Sequence, residues 1–197
     1  MRECVLTTVV AVVANFTAFD GRPALADLIC PVERAAYAMG TENGDFSLSF
    51  IPARSCASMA SDLYVRLGTS QRSYWFVPTM SNGYGGMTML PVGDPYQESA
   101  EKNGPRRLLE ADGVDAQSYV QTLANLRFYV LNEKFDFISE PPANGDPAPA
   151  FIMMPELGAT LWYDAAAVSE YPGAERDPMP RGVFRFARCL DDAPLEA

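Results

Sequence analysis

Asp136, Glu156 and Asp164 are the side chains whose type and neighbours suit them best to chemistry, and that chemistry belongs to carboxylates. Each lies beside an apolar or aromatic run, and a glycoside-cleaving site needs only two acidic groups at a suitable separation. Composition closes most other routes. There is no histidine among the 197 residues, which removes Ser-His-Asp triads, Cys-His dyads and histidine-ligated zinc. No Gly-x-Ser-x-Gly elbow, phosphate-binding glycine loop or dinucleotide fingerprint occurs. Carboxylate pairs, a serine–lysine pair or a lone thiol remain. Simpler roles compete even for the carboxylates: Asp136, between Phe135 and Phe137, is expected to point to solvent from an alternating strand, and Asp164 to cap a helical turn. The balance leans away from an enzyme.

Binding chemistry has three candidates. Tyr84 lies among glycines in Ser81-Asn82-Gly83-Tyr84-Gly85-Gly86, a loop that can present a ring to a sugar or an apolar ligand. The simpler reading is a hairpin turn in which glycine supplies positive φ. Trp75 is a possible ligand platform, as is Trp162, but both fit a core better. Arg181 closes a proline- and charge-dense stretch, Glu175 to Gly182, where arginine can bind an anion or pair with neighbouring acids across a rigid turn. Glu110 to Asp115 resembles a calcium loop only faintly and lacks the ligand pattern. No metal site and no cofactor are expected.

The net charge is −10, with only two lysines, Lys102 and Lys134. A nucleic-acid backbone is therefore a poor partner, because binding phosphates needs a basic face. Docking to an anionic membrane surface is disfavoured for the same reason. An envelope protein or a glycan is the partner that composition leaves open. The preference for arginine and the abundance of alanine match a high-GC bacterial genome, by association only.

Cys4 to Ala14 is an uncharged, mainly apolar run, too short for a membrane span of about 20 residues. Asp20 to Pro23 breaks it, and Ala24-Leu25-Ala26 offers the small side chains that signal peptidase requires. Residues 1–26 are thus expected to be a cleaved signal peptide, with Asp27 starting a single β-rich domain, 27–197, that is periplasmic or secreted and has no membrane span. Glu3 is atypical of such a leader. Cys4 leaves with it, so Cys30, Cys56 and Cys189 remain, and two of them should pair in an oxidising compartment. Cys30 with Cys189 is the favoured pair, since domain termini often lie close together; Cys30 with Cys56 is the alternative.

The elements that must position these residues are short and alternating. Strands are expected at Ala35–Met39, Asp45–Phe50, Leu63–Leu67, Ser73–Val77 (ended by Pro78), Met87–Val92, Phe128–Leu131, Phe135–Ile138, Phe151–Met154, Thr160–Tyr163 and Val183–Ala187. Thr41 to Gly44 supplies a hairpin turn. Asp115 is a candidate N-cap for a helix carrying Tyr119, Val120, Leu123 and Leu126. Gly93–Gly113, Pro141–Pro149 and Pro172–Gly182 read as loops. The fold class is mainly β: an antiparallel sandwich or barrel-like domain with one or two short helices.

The function expected on these grounds is that of an exported, non-catalytic binding or interaction domain. A histidine-free glycan hydrolase using paired carboxylates is the rival. A small lipophilic-ligand carrier, which needs a dry cavity inside a closed barrel, is the third.

Overall fold

Apolar side chains at every second position bury one face of a strand, and the first two strands of this protein carry that pattern. A computed structural model describes residues 29–41, 44–53, 61–80, 86–97, 100, 104–110, 115–171 and 173–194. The expected leader (1–26), its cleavage point at Asp27, Cys4, Cys56 and Tyr84 lie outside the described residues.

Nine strands are described: β1 (Ala35–Thr41), β2 (Gly44–Pro52), β3 (Leu63–Gly68), β4 (Ser73–Met80), β5 (Met87–Val92), β6 (Arg127–Leu131), β7 (Phe137–Ile138), β8 (Phe151–Met153) and β9 (Val183–Cys189). All belong to one antiparallel sheet, ordered β5-β4-β3-β2-β1-β9-β8-β6-β7. Pairing of Met87 with Phe128 and of Thr88 with Arg127 joins β5 to β6 and closes eight of the strands into a barrel. The ninth, β7, pairs Phe137 and Ile138 with Leu131 and Val130 of β6. Closure resolves the choice between sandwich and barrel, and it satisfies the hydrogen-bonding edges that an open sheet leaves bare.

Side chains fill the interior. Phe46, Leu48 and Phe50 from β2, Leu63, Val65 and Leu67 from β3, and Phe76, Met89, Phe128, Ile152 and Phe184 from the remaining walls are all buried. Phe50 meets Phe128 edge-on, centroids 6.3 Å apart. Because β2 and β6 face each other across the barrel, that contact spans its axis. Tyr37 also packs edge-on to Phe50, at 6.0 Å. Its buried hydroxyl has no hydrogen-bond partner among the described residues, and burial pushes the phenol pKa up.

A second apolar layer lies outside β2–β5, where Ile51, Tyr64, Trp75, Val77 and Val92 pack with Ala53 and Tyr96. This is why β3 to β5 read as nearly continuous apolar runs. Pro78 does not end β4, which continues to Met80. Its register partner Met89 donates its N–H to Leu126 O (3.0 Å) and not to β4, at a position where the missing proline donor is tolerated.

Two helices are described. In α1 (Ala116–Asn125) the Asp115 carboxylate accepts from Gln117 N and Ser118 N at 2.9 and 3.0 Å, as the sequence predicts. The second, α2 (Leu157–Tyr163), replaces the strand expected at Thr160–Tyr163. Leu157, Thr160 and Leu161 are buried at helical spacing, and Gly158 lets the backbone of Met179 approach where a side chain would collide. A 3-10 turn, Ala165–Val168, follows.

Antiparallel alternation sorts the connections onto two ends. At the helix end lie the β1–β2 and β3–β4 turns and two long excursions, β5–β6 with α1 and β8–β9 with α2. At the opposite end lie the start of β1, the end of β9 and the segment carrying β7. Here Cys30 and Cys189 are joined by a disulfide, with Cα atoms 5.7 Å apart, across a sequence separation of 159. We call this the disulfide end.

Candidate functional site

At the disulfide end the chain makes a hydrogen-bonded turn from Asn132 to Asp136. Asn132 Oδ1 accepts from Lys134 N and Asp136 N at 2.8 and 3.0 Å, while Asn132 Nδ2 donates to Asp136 Oδ2 at 3.1 Å. Phe135 N donates to Asn132 O, 3.1 Å. The turn places Phe135 at φ 65°, the only non-glycine residue with positive φ among the described residues. Phenylalanine gains nothing locally from this conformation, which costs on the order of 1–3 kcal/mol.

The cost holds Phe135 in a particular place. Its ring stacks on Phe151 at 4.8 Å with 9° between planes, and Arg185 lies over the same Phe151 ring at 5.4 Å. Two residues on, β7 turns Phe137 outward against Tyr129 at 5.9 Å. Ile138 points the other way and, with Phe186, Ile29, Pro147 and Pro149, lines an open hollow of ≈ 410 Å³. Phe135 is 65 % exposed, Phe137 66 %, Ile29 70 % and Phe186 40 %. None of these side chains has a polar atom to hydrate. These apolar side chains gather at the rim of one end of the barrel in two groups, Phe135 and Phe137 against Phe151 and Tyr129, and Ile29, Ile138 and Phe186 around the hollow, which sets them apart from scattered surface leucines.

The backbone beneath the rim is fixed. Val32 N donates to Asp146 O and Ala148 N to Cys30 O, both at 2.8 Å, and the disulfide ties this crossing to β9. Sequence reading placed Phe135–Ile138 in a half-buried strand; only Phe137–Ile138 is a strand, and the two phenylalanines lie outside the core. Asn132, three residues before Phe135, is the sequence signal for the turn. Asparagine organises its own turn and competes with a strand.

The predicted site residues are dispersed. Asp136 is exposed and engaged by Asn132. Glu156 and Arg181 do come together: the guanidinium reaches both carboxylate oxygens at 3.0 and 2.8 Å, and Arg181 Nε donates to Pro155 O. Arg181 therefore pairs with a partner 25 residues away, not with an acid of its own turn. Asp164 precedes the 3-10 turn as predicted, but its side chain makes no capping bond. Trp75 is buried to 6 % exposure, between Tyr96 at 5.7 Å and Arg66 at 5.7 Å. Trp162 is partly exposed under Arg176, whose guanidinium lies 5.1 Å from its ring centroid.

Asp177 is the most deeply buried carboxylate among the described residues. It accepts from Thr69 Oγ1 at 2.6 Å and from Tyr74 OH at 2.9 Å, with Arg72 Nε at 3.9 Å. Burial, reinforced by Asp177, pushes the Tyr74 phenol pKa up. These bonds tie the Pro-rich loop to the β3–β4 turn, a structural clasp. No group of three or more candidate metal ligands occurs among the described residues, and no described helix is long and apolar enough to cross a membrane. Comparison with protein-family models, curated proteins and solved structures gives no match.

Proposed function

We propose that this protein is an exported, non-catalytic binding domain that docks an apolar segment of a partner protein on its disulfide-end rim. The observation that carries the reading is Phe135: a strained, exposed phenylalanine stacked on Phe151 beside an open apolar hollow. Strain retained at an exposed ring points to a use for the ring. Aromatic and arginine side chains are the groups enriched where partners bind, and Arg185 backs this ring. The hollow falls within the roughly 300–1,000 Å³ range of ligand pockets, enough to seat a few side chains of a partner.

The hydrolase reading is less well supported, because Asp136 and Glu156 are committed to Asn132 and Arg181. The Phe50–Phe128 contact across the barrel axis argues for a packed interior over a lipophilic-ligand chamber. A disulfide between the two ends of the barrel chain is compatible with an extracytoplasmic setting; a periplasmic or secreted destination is part of the proposal.

A photo-crosslinking amino acid placed at position 137, and separately at 163, tests the docking reading in the cells that make the protein. Both side chains are exposed, Tyr163 at the other end. Position 137 is expected to yield a discrete protein adduct that Phe135→Gly abolishes. The same adducts from both positions, or none from 137, would refute the rim as a docking surface.

A further inference from the structure

On the outer wall at the helix end, the segments around Asp94 and Arg106 face Ser169–Tyr171 across an open groove. Two hollows of ≈ 660 and ≈ 310 Å³ share Asp94, Gln97, Glu170 and Tyr171 as a common wall. Hydrogen bonds hold that wall in place. Glu170 Oε2 accepts from Asp94 N at 2.9 Å and from Gln97 Nε2 at 3.0 Å, and Asp94 Oδ1 accepts from Tyr96 N at 2.9 Å. Gly93 N donates to Arg106 O at 2.8 Å, and the Glu170 carboxylate occupies the space a side chain at 93 would need.

The chemistry of the lining is mixed in a specific way. Gln71, Arg72, Ser73 and Ser169 line the smaller hollow, along with Trp75. Arg106 lines the larger one and has no ion-pair partner among the described residues, and the Tyr171 ring stands 65 % exposed at the shared wall. An acyl chain would strand these polar groups, and a nucleic-acid phosphate would meet Asp94 and Glu170. A sugar ring suits them: its hydroxyls donate to carboxylates and accept from guanidinium and amide N–H groups, while its flat C–H face lies on an aromatic ring. Each hollow has a volume typical of a small-ligand pocket, about 300–1,000 Å³.

We propose that this groove binds an oligosaccharide, one stretch of the chain in each hollow and Tyr171 stacked at the junction. The site lies at the end of the barrel opposite the aromatic rim, so it stands independently of the docking reading and leaves the rim free while a glycan is held.

The test is calorimetric titration of the disulfide-bonded protein with chitotetraose and with cellotetraose, followed by amide NMR shifts. At least one probe is expected to bind, moving the amides of Asp94, Gln97, Glu170 and Tyr171. Binding by one alone reports which ring substituent the groove reads. Tyr171→Ala is expected to weaken binding about tenfold or more, as loss of a stacking anchor does, and Tyr163→Ala, an equally accessible tyrosine outside the groove, to leave it unchanged. No heat or shift with either probe up to about 10 mM, far weaker than specific recognition, would overturn the proposal. So would binding that is indifferent to Tyr171→Ala.

Discussion

The two ends of the barrel are closed by different means. At the helix end, two long excursions bring Leu109, Leu126, Leu157, Leu161, Val168 and Met179 into the same core as the barrel walls. Aromatic side chains left outside there, Trp162, Tyr163 and Tyr171, each carry a polar atom that water can satisfy. At the disulfide end, closure rests on a short backbone crossing around Val32 and Ala148 and on one covalent bond. The side chains left outside are Ile29, Phe135, Phe137 and Phe186. The end closed by packing leaves Val120 as its exposed large aliphatic side chain, whereas the end closed by a bond and a few hydrogen bonds keeps several apolar side chains free for a partner.

The largest test of that contrast is removal of the bond. Replacing both Cys30 and Cys189 by serine is expected to cost about 4 kcal/mol, because a long closed loop is released in the unfolded chain. Urea unfolding measures it, and a shift of only a few tenths would mean that packing closes both ends alike. At the helix end, Asp177→Ala is expected to cost about 3 kcal/mol by leaving Tyr74 and Thr69 without their acceptor in the interior. Comparing its unfolding midpoint with that of the cysteine variant ranks the two closures directly.

Tyr37→Phe should raise stability by about 1 kcal/mol, since it removes a buried hydroxyl that lacks a partner. A loss instead would show that an internal water pairs with that oxygen. Phe135→Gly should leave stability unchanged or raise it by up to about 1 kcal/mol, relieving positive φ. Marked destabilisation would make Phe135 a packing residue and weaken the assignment of the rim. The smallest effect belongs to Asp115, whose pKa is lowered by its hydrogen bonds with Ser118. A carboxylate with a lowered folded-state pKa contributes its stabilisation above the unfolded value, about 3.9, and loses it as pH falls through the folded one. Acid titration followed by helical circular dichroism should therefore show a small loss at low pH that Asp115→Asn reduces.

Local chemistry alone determined much of this molecule. Alternation in Asp45–Phe50 and Leu63–Leu67 specifies strands because a one-residue slip would turn every apolar side chain to water. Asp115 caps its helix through bonds to residues two and three positions away, whereas the choice of Cys189 over Cys56 as the partner of Cys30 was settled only by the fold, across a separation of 159. Other features depended on groups distant in the chain. Whether the sheet closed depended on β5 meeting β6, and α2 took helical form because Leu157, Thr160 and Leu161 found the open end of the barrel. Glu156 met Arg181, and Asp94 met Glu170 at the groove, only in the folded chain. The exposure of Phe135 and Phe137 belongs to this second group. Their sequence is that of a half-buried strand, and only the Asn132 turn and the limited cover at the disulfide end leave them facing solvent.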